Sequence, residues 1–263
     1  MPTMNKDAFG LKDDPSDSRD RKFQDLIRVA SKPPPLTGDV DLSSYCTESR
    51  QLWAGSCVGN ACADAVEIIN AVEGRPRVEL SRLFVYALAR HLMDDDGDGR
   101  NDLNLDEGTF IRIGMDILSR FGICTEAMWP YDLKKLFVAP SLKSMRQAAG
   151  HRIHDYYRIG ATGDDRLAEI VYALRQRQVV VFGTKVSQDF TKLNHEGPVG
   201  PPTGMTKGGH AMIIVGYSAG TGFLIKNSWG KTWGDDGFAF LTEEYIKWER
   251  TRDIWVPMRG VTF

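Results

Sequence analysis

The spacing of apolar residues changes halfway along this chain. Val58, Ala61, Cys62, Ala65, Val66 and Ile69 recur at helical intervals and share one face. They predict a helix that begins at Ser56 or Cys57 and is stopped by Gly74 and Pro76. Ser81 through Met93 reads as a second helix, Thr109 through Phe121 as a third stopped by Gly122, and Asp164 through Arg177 as a fourth. Beyond these the apolar runs shorten and glycines punctuate them. Val179 to Phe182, Ala211 to Tyr217, Phe223 to Asn227 and Phe238 to Leu241 predict strands. The first half is therefore expected to be mainly helical and the second mainly sheet, an α+β chain with no internal repeat.

The pattern also sets boundaries. Residues 1–37 are rich in charge and poor in apolar side chains, and they approach the body through Pro33-Pro34-Pro35. One reading is a disordered tail. The favoured reading is a short autoinhibitory propeptide, because Phe23, Leu26, Ile27 and Val29 form an apolar patch able to dock. Such docking is intramolecular, so weak contacts suffice. The globular part is expected over 38–263, mainly helical over about 38–135 and mainly β over about 150–263.

Composition narrows the functions. The 263 residues carry 33 Lys and Arg against 35 Asp and Glu, a net charge of -2. That balance predicts neither nucleic acid nor an anionic membrane as partner. No apolar run is long enough to span a bilayer. The start, Met1-Pro2-Thr3-Met4, has no apolar secretory core. A soluble protein is expected, cytoplasmic or exported by a route without such a signal. Four cysteines, Cys46, Cys57, Cys62 and Cys124, exclude a dense disulfide framework.

Four residues carry chemistry in a telling order: Gln51, Cys57, His210 and Asn227. Cys57 opens a predicted helix, where free N–H groups and the helix dipole favour thiolate. His210 stands at the start of a predicted strand as base and then acid, and Asn227 would accept from its second ring nitrogen. Trp229 is placed to cover that bond. Gln51 and the Cys57 N–H would hold an oxyanion. Taken singly, each residue has a bland reading. Cys62 reads as a small core residue, and His91, His151, His154 and His195 as structural.

Together these residues resemble the papain family of cysteine proteases. The resemblance rests on Gly55-Ser56-Cys57, Gly209-His210-Ala211, Val215-Gly216-Tyr217, Trp129-Pro130-Tyr131 and the stretch Leu224 to Phe238 around Asn227-Ser228-Trp229-Gly230. It covers about residues 38–263. It implies a papain-like fold of two subdomains: a helical left domain, a β-barrel-like right domain and an active-site cleft between them. It implies an endopeptidase acting on peptides or proteins through a Cys57 thioester, with Gly108, Gly209 and Trp229 binding substrate and no cofactor required. Ala54 stands where the family usually has a disulfide cysteine, Val58 where it has Trp, and Glu107 where it has the first of two glycines. These departures resemble the bacterial, short-propeptide branch. A Cys46–Cys124 bridge is a further expectation drawn from the resemblance.

Two other functional classes share this scaffold: a catalytically dead binding domain, which usually lacks the Cys or His, and an amidase or acyltransferase. Separately, Asp94, Asp96 and Asp98 alternate ahead of Gly99 like half a calcium loop. The twelfth position is Leu105 rather than Glu, so a solvated acidic loop is the favoured reading.

Overall fold

A computed structural model describes residues 9–30, 36–93, 99, 101–194 and 197–258. Strand β1 (Leu11–Lys12), helix α1 (Phe23–Ala30) and strand β2 (Val40–Asp41) come first. The helical half holds α2 (Cys57–Val72), α3 (Arg82–Leu92), the short strand β3 (Thr109–Phe110), α4 (Ile111–Arg120) and α5 (Leu142–Ala148). The sheet half holds β4 (Asp155–Ile159), α6 (Gly163–Arg175), β5 (Val180–Val186), α7 (Gln188–Thr191), β6 (Gly208–Ser218), β7 (Gly222–Lys226), β8 (Phe238–Leu241), α8 (Glu243–Lys247) and β9 (Arg252–Met258).

Helix α2 is buried on every side, not on one face as its apolar spacing predicts. All residues from Cys57 to Asn70 are inside, including Asn60, Asp64 and Glu67. The reason is its place between α3 and α4 on one flank and β6 on the other. The predicted third helix begins two residues late, because Thr109 and Phe110 extend and pair with β1.

The main sheet runs β4-β9-β5-β6-β7-β8, with β2 added beside β6. All its strand pairs are antiparallel. Strand β6 is at its centre, and Gly209 through Tyr217 are buried on both faces. Helix α2 covers one face and α6 packs against the other, so β6 reads as an unbroken apolar run. Among the described residues β4 and β8 do not pair with each other, so the sheet is open rather than a closed barrel. Helical segments are thus joined to a sheet-rich part, the arrangement the resemblance implies.

A buried charge cluster joins the two halves. Arg82 on α3 reaches Asp64 at 3.0 Å and Glu67 at 3.3 Å on α2. Lys226, the last residue of β7, donates to the other oxygen of Asp64. All four side chains are nearly inaccessible, and two cations balance two carboxylates. Ser49 Oγ donates to Asp64 at 2.7 Å and fills the remaining acceptor space.

Residues 9–30 lie against the body. Phe23 and Ile27 of α1 are buried, with the Phe23 ring 6.5 Å from Tyr157 and 6.2 Å from Tyr172. Leu26 packs on the same core. Asp20 takes Arg112 at 2.6 Å and Arg158 at 2.9 Å. The disordered-tail reading does not hold for this stretch. Pro33-Pro34-Pro35 and the Val29 side chain lie outside the described residues.

Other expectations change. All four cysteines are free, so the Cys46–Cys124 bridge is not formed. Cys46 faces the Leu42 carbonyl and the Lys226–Asp64 pair, whereas Cys124 sits beside Ser81. Asp94, Asp96 and Asp98 lie outside the described residues, and no metal-holding group of three or more acidic, His or Cys side chains occurs among those described. No helix among the described residues is long and apolar enough to cross a membrane.

Removing one member of the buried cluster strands a charge. Lys226→Met should cost about 3–5 kcal/mol of stability, because Arg82 is then left to balance both Asp64 and Glu67 in a buried place. Urea unfolding measures this. A double change, Lys226→Met with Asp64→Leu, should be less damaging than the single one; equal or additive losses would count against a coupled pair.

Candidate active site

Cys57 is the first residue of α2, with Ser56 as its N-cap. Its thiol is fully buried, within reach of the backbone N–H groups of Ala211, Gly10 and Val58. His210, also fully buried, lies on β6 one residue before Ala211. Its Nε2 meets Asn227 Oδ1 at 2.7 Å. That oxygen also accepts the Ser228 N–H at 2.7 Å, which fixes the amide with its oxygen toward both donors. The ring therefore carries its proton on Nε2 when neutral, and Nδ1 is left as an acceptor. Nδ1 has no partner. Trp229 stacks on the ring at 4.4 Å between centroids and an interplanar angle of 24°, shielding the His–Asn bond from water.

Gln51 is fully buried beside these groups. Ser228 Oγ donates to its Oε1 at 2.6 Å, which turns the amide nitrogen away from that side, and Nε2 donates to the Ala54 carbonyl at 3.2 Å. The Gln51 N–H donates to the Ser228 carbonyl at 2.9 Å. The segments around Gln51 and Asn227 thus hold each other.

Gly108 adopts φ of +84°, a conformation that favours glycine. Its N–H donates to Tyr86 Oη at 3.1 Å, and Tyr86 Oη donates to Asp106 at 2.6 Å. Asp106 also accepts the Gly55 N–H at 3.0 Å. Asp106 is a hub that sequence reasoning missed: among neighbouring acidic residues, nothing local marked it as the one that would accept from both Tyr86 and Gly55. Gly209 sits next to His210 and faces the Leu11 carbonyl; a side chain there would stand 2.6 Å from that oxygen.

The N-terminal segment crosses the site. The Gly10 carbonyl accepts the Thr109 N–H at 2.9 Å, and Leu11 pairs opposite Thr109 in parallel register. A side chain on Gly10 would run into the Gly55 carbonyl. Phe9 lies against Trp229, with ring centroids 6.4 Å apart. Beyond Phe9, a cavity of about 530 Å³ opens between Leu52, Leu193, Trp229 and Trp233.

This cover changes the expected ionisation. Helix position alone favours thiolate, yet burial pushes Cys57 up to about 11. Burial likewise pulls His210 down to about 4, partly opposed by Asn227. Under the segment both groups rest neutral, and the thiolate expected from the helix terminus is not the favoured form.

Comparison with known proteins agrees with this geometry. The papain family cysteine protease model matches residues 47–252. An uncharacterized peptidase C1-like protein of Acanthamoeba polyphaga mimivirus is 33% identical over 86% of this chain and 76% of its own length. A cathepsin L-like proteinase of Fasciola hepatica is 26% identical over 74% of this chain, which spans only 56% of that protein. The crystal structure of xylellain, a cysteine protease from Xylella fastidiosa, superposes with a TM-score of 0.79 at 28% identity, covering 99% of both chains. A match that spans most of the chain, with a relative one third identical, makes this protein a member of the papain family and a cysteine-type peptidase.

Proposed function

We propose that the chain is an endopeptidase in which Cys57, His210, Asn227 and Gln51 perform acyl transfer, held in check by its own N-terminal segment. One observation carries the reading. His210 is fixed by Asn227 through Nε2, while Nδ1 stays open among residues that surround the Cys57 thiol.

With the segment displaced and water admitted, His210 Nδ1 takes the thiol proton. The thiolate sulfur bonds to the substrate carbonyl carbon, and the carbonyl electron pair moves onto oxygen. The Cys57 N–H and the Gln51 amide stabilise that oxyanion. The imidazolium gives its proton to the leaving amine as the C–N bond breaks, leaving a thioester. Water, deprotonated by His210, then releases the acid and restores the thiol. Asn227 keeps the ring angle through each transfer. The segment lies on both sides of Cys57, with Phe9 toward Trp229 and Leu11 beside Thr109. A cleft that takes backbone on both sides suits cleavage within a chain. Gly108, Gly209 and Trp229 are the proposed substrate contacts, since the segment already touches each of these places.

The segment is anchored by acidic residues. Asp13 faces Lys185 at 3.2 Å and Arg252 at 3.5 Å, and Asp20 holds Arg112 and Arg158. Asp14 accepts the Trp255 indole N–H at 2.8 Å and the Arg112 N–H at 3.1 Å, and its own N–H donates to Asp253 at 2.9 Å. Burial, and then the Asp253 charge, push Asp14 up to about 6, with Arg112 opposing. Asp253, itself raised by burial, is paired with Arg158.

Four outcomes are expected. Cys57→Ala should abolish peptide hydrolysis, His210→Ala should nearly do so, and Asn227→Ala should leave partial activity. Gln51→Ala should lower kcat by about 10²–10³; an unchanged rate would move the oxyanion role elsewhere.

Gly10→Val should unseat the segment at the thiol while leaving α1 docked. Alkylation of Cys57 by iodoacetamide should then accelerate several-fold over the parent chain. Equal rates would rule out inhibition by the segment.

Asp14 gives that inhibition a pH dependence. Its docked value lies above the ordinary carboxyl value near 4, so docking takes up a proton. The contribution is complete in acid and is lost as pH rises past about 6. Docking also pulls His210 down to about 4, a shift that acts with the opposite sign in the same window. The ratio of parent to Asp14→Asn alkylation rates cancels that shift and the ionisation of Cys57. It should rise between pH 4 and 7, and a flat ratio would refute the linkage.

A further inference from the structure

Tyr131 joins the two proposed donors of the oxyanion hole. Its hydroxyl donates to the Gln51 carbonyl at 2.7 Å and meets Ser56 Oγ at 2.5 Å. A phenol has one proton, and a carbonyl only accepts, so that proton belongs to Gln51. Ser56 must then donate to Tyr131. Ser56 Oγ in turn accepts from Asn60 Nδ2 at 3.1 Å, and Asn60 Nδ2 also donates to the Ser56 carbonyl at 3.0 Å. Every proton has one destination, in a directed chain from Asn60 through Ser56 and Tyr131 to Gln51. Burial raises the Tyr131 hydroxyl well above its ordinary range, so it remains a donor throughout the working pH.

The two ends of this chain matter. Ser56 caps α2 immediately before Cys57, whose N–H is one oxyanion donor. Gln51 supplies the other through its side-chain amide. Ser228 already sets the rotation of that amide, and the Gln51 N–H is held by the Ser228 carbonyl. Gln51 is also tied to the chain leading into α2, its Nε2 donating to the Ala54 carbonyl and its own carbonyl accepting the Ala54 N–H at 3.3 Å. Tyr131 adds a contact to Ser56 itself, and its own backbone N–H is held by the Glu126 carboxylate.

We propose that Tyr131 is a positioning residue of the oxyanion hole, setting the separation of the Gln51 amide from the Cys57 N–H through Ser56. The proposal rests on the assignment of Gln51 as an oxyanion donor. It predicts a selective loss. Tyr131→Phe keeps the ring and its packing but breaks the link between the Gln51 carbonyl, which keeps the Ala54 N–H, and the Ser56 hydroxyl, which keeps Asn60. Reactions that build an oxyanion should suffer, and reactions that need only the thiolate should not.

The test uses the full chain and two probes. A peptide aldehyde forms a hemithioacetal whose oxygen enters the oxyanion hole. Iodoacetamide alkylates the same sulfur without making one. Any competition from the N-terminal segment enters both measurements alike, so their ratio isolates the oxyanion. Tyr131→Phe should weaken aldehyde binding about tenfold and lower kcat to a similar extent, with KM unchanged. The alkylation rate and its pH profile should stay within about twofold of the parent. Ser56→Ala, which removes one link and keeps the other, should show a smaller loss in the same direction. Gln51→Ala is the control and should weaken aldehyde binding more than either. Unchanged aldehyde binding in Tyr131→Phe, with the control weakened, would overturn the positioning role alone. A parallel fall in alkylation and aldehyde binding would also overturn it, since that marks general loosening. An unaffected control would overturn the Gln51 assignment and the proposal with it.

Discussion

The Lys226–Asp64 ion pair is the constraint on which the site depends. Asp64 lies two turns along α2 from Cys57, and Lys226 immediately precedes Asn227. One buried contact thus ties the helix that begins at Cys57 to the strand that leads into Asn227, the partner of His210. Burying a lone carboxylate in such a place is strongly unfavourable, so the geometry that satisfies it is sharply defined. Arg82 and Glu67 complete the charge balance, and Ser49 extends the cluster to the segment that carries Gln51. The proposed nucleophile, orienting residue and oxyanion donor are therefore all attached to one electrostatic knot.

Above the cleft the same logic appears with the opposite result. The N-terminal segment also docks through carboxylates, but these meet cations at a partly wetted surface. Asp20 reaches two arginines and Asp13 a lysine and an arginine. Exposed and half-buried pairs of this kind contribute modestly. A modest interaction suits a segment that must leave. Its seat over Cys57 removes water from a pair of groups whose reactivity requires charge separation. The values near 11 for Cys57 and 4 for His210 follow from that dryness. The proposed inhibition by this segment would be both steric, through Gly10 over the thiol, and electrostatic, through loss of solvation.

Much of the site was legible in the chain because its residues sit in short local patterns. Cys57 opens a helix with an apolar period, and His210 opens a strand between small neighbours. Asn227, Ser228 and Trp229 are contiguous and occupy their places as one turn after β7. The helix boundaries near Gly74 and Gly122 followed from local stop signals for the same reason. Strands β4 and β9 escaped notice, since charged residues such as Arg158 and Asp253 interrupt their apolar alternation. Those residues are inside because Asp20 and Asp14, far away in sequence, meet them there.

What the amino-acid sequence determined by itself is the chemistry: a thiol at a helix start, an imidazole, an amide to orient it and an amide to receive charge. These depend on residue type and local spacing, which the chain carries openly. What only the tertiary structure decided is which polar residues are partners. Asp64 falls outside the apolar stripe of α2 in sequence, and is buried because Lys226 and Arg82 arrive from two other elements. Tyr131 reads as one aromatic in a proline turn, and becomes a link between Gln51 and Ser56 because folding brings three segments together. Asp14 and Asp20 belong to a charge-rich stretch that composition assigns to solvent, and they dock because Arg112, Arg158 and Trp255 converge on them. A polar side chain is paid back for leaving water only by a specific partner, and that partner's distance along the chain leaves no periodic trace.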